Sequence, residues 1–123
     1  MSNVNLLSAS DVLIKEADEL LEKGDTAQAS EKYYKAAEEA IKPITKTLNI
    51  QDVLQKVKSL GRWSSTLLFE GAMSISPEMY SIWSDAWYLH IYGFHEMKLT
   101  YNEVKSSSHN IHKIIKILSD LIK

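Results

Sequence analysis

Apolar residues at helical spacing run through almost the whole chain, and this pattern restricts it to an all-α fold. Nowhere do β-branched residues alternate with polar ones over the five or six positions that a strand would need. Glycine occurs four times and proline twice, so few residues interrupt the helical stretches. The pattern therefore predicts about five or six helices with short connections, an antiparallel helical bundle.

Start and stop signals predict that the first two helices form a hairpin. The first helix is expected over residues 10–23, with residues 2–9 either extending it or packing as an ordered tail. Asp25 begins a capping-box pattern directly after Gly24, so the second helix follows a tight turn. Its apolar stripe stays in phase past Pro43, which predicts one kinked helix rather than two.

Further signals place the remaining helices. Two short helices are expected next, one ending at Gly61 and one over residues 63–75. The Ser-Pro-Glu sequence at 76–78 combines a cap, a proline at the first helical position and an acid near the positive end of the helix dipole. A helix therefore starts there and is expected to run to about residue 97. Thr100 begins a capping box that opens the last helix.

Length and composition exclude several classes of protein. A chain of 123 residues has the size of one domain, so residues 1–123 are expected to form a single bundle. No apolar run approaches the roughly 20 residues of a membrane span, and a cytoplasmic location is expected. The absence of cysteine excludes disulfides, thiol catalysis and cysteine-ligated metals. A net charge of −2 argues against a whole-surface nucleic-acid binder.

An aromatic stripe lies on the helix predicted to start at Pro77. At about 100° per residue, one face carries Met79, Trp83, Trp87, His90 and Phe94. Core packing is the plainer interpretation, since aromatic side chains bury large areas; a stacking platform for a base or another small ligand is the alternative. Tyr88, Tyr92 and His95 are expected to project to roughly the opposite side.

The last helix is apolar over about half of its circumference. Its main stripe consists of Val104, Ile111, Ile115, Leu118 and Ile122. Ile114, Ile117 and Leu121 widen this stripe. A helix of this kind is either central in its bundle or faces a second subunit, and we favour the second interpretation. The three widening residues are therefore predicted to form the interface of a homodimer.

The histidines do not reach the number that a metal site requires. His109 and His112 share a helix face three residues apart, and His95-Glu96 precedes that helix. A catalytic zinc ion needs three protein ligands, and a solvated polar face is the plainer interpretation. The sequence therefore predicts neither a metal nor another cofactor.

Three sequence blocks resemble those of a known family. They are residues 17–43, GRWSSTLLFEGA at 61–72 and WSDAWYLHIYGFHEMKL at 83–99. In this order they resemble the archaeal PaREP family of small helical proteins. The first block alone also resembles one tetratricopeptide hairpin, a protein-binding unit, but its pattern does not recur at the period of about 34 residues of that repeat.

The PaREP family is placed in the HEPN superfamily, so the resemblance implies a four-helix bundle with an extra short helix, usually dimeric. Many HEPN domains are metal-independent ribonucleases, in which an arginine, roughly four to six further residues and a histidine hold the phosphate and move the proton of the 2′-hydroxyl. The single arginine here, Arg62, has no histidine in the ten residues that follow. A degenerate form exists as Lys105, six residues and His112 on the last helix, but lysine lacks the two-pronged guanidinium fork.

The sequence thus predicts a non-catalytic, homodimeric interaction module or a nucleotide- or RNA-associated module, as in toxin–antitoxin-like systems. The alternative is a ribonuclease with Lys105 and His112 as its catalytic pair. The predicted ligand-binding residues are Arg62, Trp83, Trp87, His90, His95 and Glu96. Arg62 is expected to pair with Glu96 or stack on an aromatic ring, or else to line an anion site with His95. The resemblance also implies a nucleotidyltransferase-like protein partner.

Overall fold

The computed structural model describes residues 2–121, with side chains described from residue 9 onward. This stretch contains six α-helices and one π-helical segment, and it contains no strand. The elements are α1 (Ser2–Glu22), α2 (Thr26–Thr47), α3 (Gln51–Leu60), α4 (Ser65–Ile75), α5 (Pro77–Tyr88), the π-helical segment (Leu89–His95) and α6 (Tyr101–Leu121). The prediction of an all-α helical bundle is confirmed.

Several helix ends lie where the start and stop signals predicted them. Gly24 and Gly61 adopt the left-handed conformation that ends a helix, with φ angles of 85° and 83°. The Asp25 carboxylate caps α2 by accepting a hydrogen bond from a backbone N–H in its first turn. Thr100 and Glu103 form the full capping box, since the backbone N–H of each donates to the side chain of the other, at 2.9 and 3.2 Å.

Of three further helix starts, one differs from the expectation. Residues 2–9 extend the first helix to Ser2, which is one of the two alternatives predicted for this stretch. α4 begins at Ser65 because the Ser64 hydroxyl supplies its cap. α5 starts as predicted, with Ser76 as the cap and proline at the first helical position.

The helix α2 is central in the bundle. It runs unbroken through Pro43, as its continuous apolar stripe predicted, and it packs against α1, α4, α5, α6 and the π-helical segment. Its buried residues are Ala29, Ser30, Tyr33, Ala36, Ala37, Ala40, Ile41, Ile44 and Thr45. Most of these side chains are small, so neighbouring helices can approach α2 closely on several sides.

The wide apolar stripe of α6 is explained by packing within the chain. α6 contacts α1, α2, α5 and the π-helical segment, so it occupies a central position of its own. Ile114 is fully buried in the core and is not accessible to a second copy in this conformation. Ile117 and Leu121 are only partly buried, and Ile122 lies outside the described residues.

The helix that starts at Pro77 changes its winding at Leu89. From there to His95 the backbone follows a π-helix, in which hydrogen bonds join residues five apart. Residues five apart therefore share a face, and the expectation of a constant 100° per residue is wrong for this stretch. As a result His95 lies beside His90, not on the side opposite to it.

The π-helical segment lies very close to α2 at Gly93. A Cβ atom added at Gly93 would lie 2.2 Å from the Ser30 Oγ and 2.6 Å from the Ser30 Cβ, far inside van der Waals contact. Only glycine fits this approach without a shift of the backbone. The contact fixes the position of the segment, and with it that of His90 and His95, relative to α2.

Candidate functional site

A polar cleft of about 260 Å³ lies between α1, α2 and α6. Its lining residues are Asp18, Leu21, Glu22, Tyr33, Lys105, Ser108, His109 and His112. The structure thus brings together Lys105 and His112, the two residues of the degenerate ribonuclease motif. They lie two turns apart on α6; α1 supplies the facing carboxylates of Asp18 and Glu22, and α2 supplies Tyr33.

Both ring nitrogens of His112 are hydrogen-bonded within the chain. Nδ1 lies 2.7 Å from the backbone carbonyl oxygen of Ser108, and Nε2 lies 2.9 Å from Oδ2 of Asp18. A carbonyl and a carboxylate only accept hydrogen bonds, so each nitrogen has to donate. Both nitrogens are therefore occupied by partners within the chain, and in this arrangement neither is left to accept a proton from a substrate.

Tyr33 holds the Asp18 carboxylate from its other side. The phenol O–H donates a hydrogen bond to Oδ1 of Asp18, and the tyrosine ring is fully buried with its edge toward the His112 ring. Burial, the hydrogen bond to Asp18 and the charge of that carboxylate raise the pKa of Tyr33 far above its ordinary value of 10.0. The phenol therefore stays a neutral donor, and the chain Tyr33–Asp18–His112 joins α2, α1 and α6.

Lys105 is the loosely held cation of the cleft. Its Nζ lies 3.9 Å from Oε1 of Glu22, at the limit of an ion pair, and its side chain is 49% exposed. The same Glu22 oxygen accepts a shorter hydrogen bond of 3.0 Å from the Tyr101 hydroxyl. An exposed pair of this kind contributes little free energy, so Lys105 is available to an incoming anion. The exposed His109 lies beside it in the lining of the cleft.

A second polar cluster lies at the π-helical segment. His90 Nδ1 lies 2.8 Å from Oε1 of Glu31, and both side chains are only 17% exposed. His90 Nε2 lies 3.2 Å from His95 Nε2. The His90 ring stacks on Tyr34, with the ring centres 4.1 Å apart. Burial, together with the charges of nearby glutamates, raises the pKa of Tyr34 to about 12.

The predicted ligand-binding residues do not all meet at this cluster. Trp83 is fully buried among core aromatics, and its Nε1 has no hydrogen-bond partner in the described part of the chain. Trp87 is partly buried, and its ring centre lies 5.4 Å from that of His90. Trp83 therefore belongs to the core, as the plainer interpretation had it, whereas Trp87, His90 and His95 form a partly accessible group.

Arg62 and Glu96 are exposed and make no ion pair with each other. Glu96 pairs with Lys98 at 3.4 Å, and Arg62 makes no ion pair among the side chains described from residue 9 to residue 121. Trp63, the neighbour of Arg62, lies against the last turns of α2, roughly 20 Å along that helix from Glu31. Arg62 is therefore not positioned to line an anion site with His95.

Several residues of these clusters were not predicted from the sequence, among them Asp18, Tyr33 and Glu31. Tyr33 lies on the buried stripe of α2, and a buried tyrosine hydroxyl normally needs a partner, so a polar residue opposite it could have been expected. Nothing in the sequence pattern identifies Asp18 as that partner or links Glu31 to His90. In both cases the packing of the helices selects the partner.

Within residues 2–121, no group of three or more histidine, aspartate or glutamate side chains is arranged to hold a metal ion. The same stretch contains no helix that is long and apolar enough to cross a membrane.

The fold and the cleft define a small all-α bundle with a polar site between its N-terminal hairpin and its last helix. The chain belongs to the archaeal PaREP1/PaREP8 family, whose model matches residues 5–115. The family part of the predicted resemblance is thereby confirmed. No curated protein matches the sequence significantly.

Two solved structures are similar over nearly the whole chain. One is the crystal structure of a Sulfolobus solfataricus protein, 40% identical, with a TM-score of 0.84 over 93% of this chain and 96% of that chain. The other is a solution structure of the same structural-genomics target, also 40% identical, with a TM-score of 0.80 over 92% of this chain and 90% of that one. At this identity the likeness extends to the fold of the whole bundle.

Proposed function

We propose that the protein is a non-catalytic, HEPN-like helical module that binds the phosphate group of RNA or of a nucleotide in the cleft between α1, α2 and α6. The observation that carries this proposal is the state of His112, whose two ring nitrogens are both engaged within the chain. A metal-free ribonuclease needs a base that can take the proton of the 2′-hydroxyl, and this histidine offers no acceptor atom. The site is therefore suited to binding and not to cleavage.

The groups at the rim of the cleft support an anionic ligand. Lys105 and His109 are exposed one turn apart on α6, and the Glu22 carboxylate that faces Lys105 is already hydrogen-bonded by Tyr101. The Asp18 carboxylate is already hydrogen-bonded within the chain by Tyr33 and His112. The cationic Lys105 is thus the group that gains most from a phosphate.

The size of the cleft points to one phosphate group and part of its sugar. Pockets that enclose a drug-sized ligand measure about 300–1,000 Å³, and this cleft of about 260 Å³ lies below that range. A single phosphate with the adjoining ribose carbons fits such a volume, while the base would extend into solvent. Binding should then depend little on the identity of the base.

Binding and cleavage can be tested with a short single-stranded RNA labelled with fluorescein at its 5′ end. Fluorescence anisotropy at low salt should show binding by the wild type that weakens about 5- to 10-fold in Lys105→Ala. Lys116→Ala is the matched control, because Lys116 lies on the same helix, pairs with Asp120 at 3.2 Å and does not line the cleft. Equal affinity of the two variants would contradict the proposed site.

The ribonuclease alternative is tested on the same RNA by gel electrophoresis. It is favoured by one observation, the presence of Lys105 and His112 in one cleft. We expect the wild type and His112→Ala to leave the RNA intact equally. If the wild type cleaves the RNA and His112→Ala does not, the protein is a ribonuclease and our proposal is wrong.

We also infer a homodimer, for which the candidate surface is the C-terminal half of α6. Ile117 and Leu121 support it, because both are apolar and only partly buried in their own chain. Ile114 is fully buried and is not part of this candidate surface. A nucleotidyltransferase-like protein partner, a toxin–antitoxin-like context and a cytoplasmic location stay predictions from the sequence.

A further inference from the structure

We propose that His90 and His95 bind one late first-row divalent metal ion, such as Zn²⁺ or Ni²⁺, at the open side of the π-helical segment. The two Nε2 atoms lie 3.2 Å apart. Two imidazole nitrogens bound at 2.0–2.1 Å to one tetrahedral Zn²⁺ lie about 3.3 Å apart. The pair is therefore already at the spacing of a chelate, and this site is separate from the cleft between α1, α2 and α6.

Glu31 prepares His90 for this role. Its Oε1 lies 2.8 Å from His90 Nδ1, so the proton of the neutral ring is placed on Nδ1 and the lone pair on Nε2. Histidine ligands of metals commonly have such a carboxylate behind them, which fixes the tautomer and the orientation of the ring. Stacking on Tyr34 further restrains the ring, and the carboxylate adds a negative charge next to the cation.

The π-helical winding builds the pair. π-Helical turns are rare and occur frequently at functional sites, and here the winding carries His95 onto the face of His90. The contact between Gly93 and Ser30 holds the segment against α2 between the two histidines. The packing of the segment against α2 therefore sets the distance between the two Nε2 atoms before any metal binds.

The chemistry of the donors selects the class of metal. Imidazole nitrogens suit zinc, copper and nickel better than magnesium or calcium, which prefer oxygen ligands. His95 is exposed, and the described residues offer no third ligand in place, so water or a group from a second copy completes the coordination. In the metal-free pair one Nε2–H donates to the other Nε2; on binding, His95 carries its proton on Nδ1 instead.

Without a metal, an ordinary N–H···N hydrogen bond holds the two Nε2 atoms at the same distance of 3.2 Å. Metal binding is therefore measured directly. Calorimetric titration with Zn²⁺ and Ni²⁺, together with Co²⁺ absorption as a report of nitrogen coordination, should show one ion per chain or one per two chains. The second stoichiometry means that two copies share the ion.

Variants assign the ion to this site. His95→Ala removes one of the two protein ligands without opening the core, so it should weaken binding more strongly than the change at Glu31 does. His109→Ala, at another exposed histidine, is the matched control and should bind as the wild type does. Glu31→Gln should weaken binding by about 10- to 100-fold while the Co²⁺ spectrum keeps its nitrogen bands. Circular dichroism checks that each variant folds.

Absence of binding by the wild type, or equal affinity of His95→Ala and His109→Ala, would overturn the proposal.

Discussion

The Nε2 atom of His112 lies 2.9 Å from Oδ2 of Asp18, and this contact joins the last helix to the first across 94 positions of sequence. Tyr33 approaches the same carboxylate from α2, so three helices meet at one polar centre. The arrangement has the form of a structural clamp. Its contribution to stability and its pH dependence can both be measured.

The clamp should couple Asp18 and His112 energetically. In a double-mutant cycle with Asp18→Asn and His112→Ala, we expect a coupling free energy of about 1 kcal/mol, because the pair is partly exposed but hydrogen-bonded on both sides. Urea unfolding of the four proteins measures it. The exposed pair of Lys116 and Asp120 serves as the reference, with an expected coupling of about 0.3–0.5 kcal/mol. If the coupling free energy between Asp18 and His112 is no larger than that of the reference pair, the contact does not hold the helices together.

Alkaline pH should destabilise the protein through Tyr33. Its pKa is raised in the folded state, mainly by burial, so the stabilisation is fully present below pH 10.0, the pKa of the unfolded chain, and is lost as the pH rises above it. The free energy of unfolding should therefore fall by up to about 1.4 kcal/mol per pH unit from this group. Tyr33→Phe lacks the titrating hydroxyl and should show a shallower decline above pH 10 in urea unfolding series. Parallel declines in the two proteins would refute this assignment.

Gly93→Ala should destabilise the bundle by about 1–3 kcal/mol, since the added methyl group overlaps Ser30. Thermal unfolding followed by circular dichroism measures the change. Ser30→Gly removes both overlapping atoms, so the double variant should be more stable than the sum of the two single changes predicts. The single variant Ser30→Gly measures how much a glycine within a helix destabilises the protein, about 1 kcal/mol. If the two changes in the free energy of unfolding simply add in the double variant, the contact between Gly93 and Ser30 does not restrict the side chain at position 93.

The inferred homodimer has a direct test in sedimentation equilibrium. We expect a mass of twice the 14.0 kDa of the chain at high protein concentration. Ile117→Glu should give the single-chain mass, because it places a charge on the partly exposed apolar face of α6 while leaving the fully buried Ile114 intact. A wild type that stays at the single-chain mass removes the dimer from the proposal.

Local signals predicted the helix ends well because each depends on residues close in sequence. The capping box at Thr100 and the left-handed glycine Gly61 need only their own helix to form, and both lie where they were expected. The all-α class followed from the same kind of information, since the spacing of apolar residues is itself local.

The winding of the segment from Leu89 to His95 could not be read from spacing. A helical wheel assumes a constant turn per residue, whereas this winding accompanies the approach of Gly93 to Ser30, 63 positions away in sequence. The residues of the cleft between α1, α2 and α6 likewise could be predicted only in part. The resemblance to a family identified Lys105 and His112, but the partner carboxylate of Asp18 is selected by how the first hairpin packs against α6.

The close contact between Gly93 and Ser30 also restricts how relatives of this protein can diverge. A larger side chain at either position is tolerated only if the other position shrinks or the two backbones separate. Separation would change the spacing of the two imidazole rings that flank the glycine. Substitutions at these two positions are thus expected to be correlated across the family, and lineages that keep the histidine pair should keep the glycine.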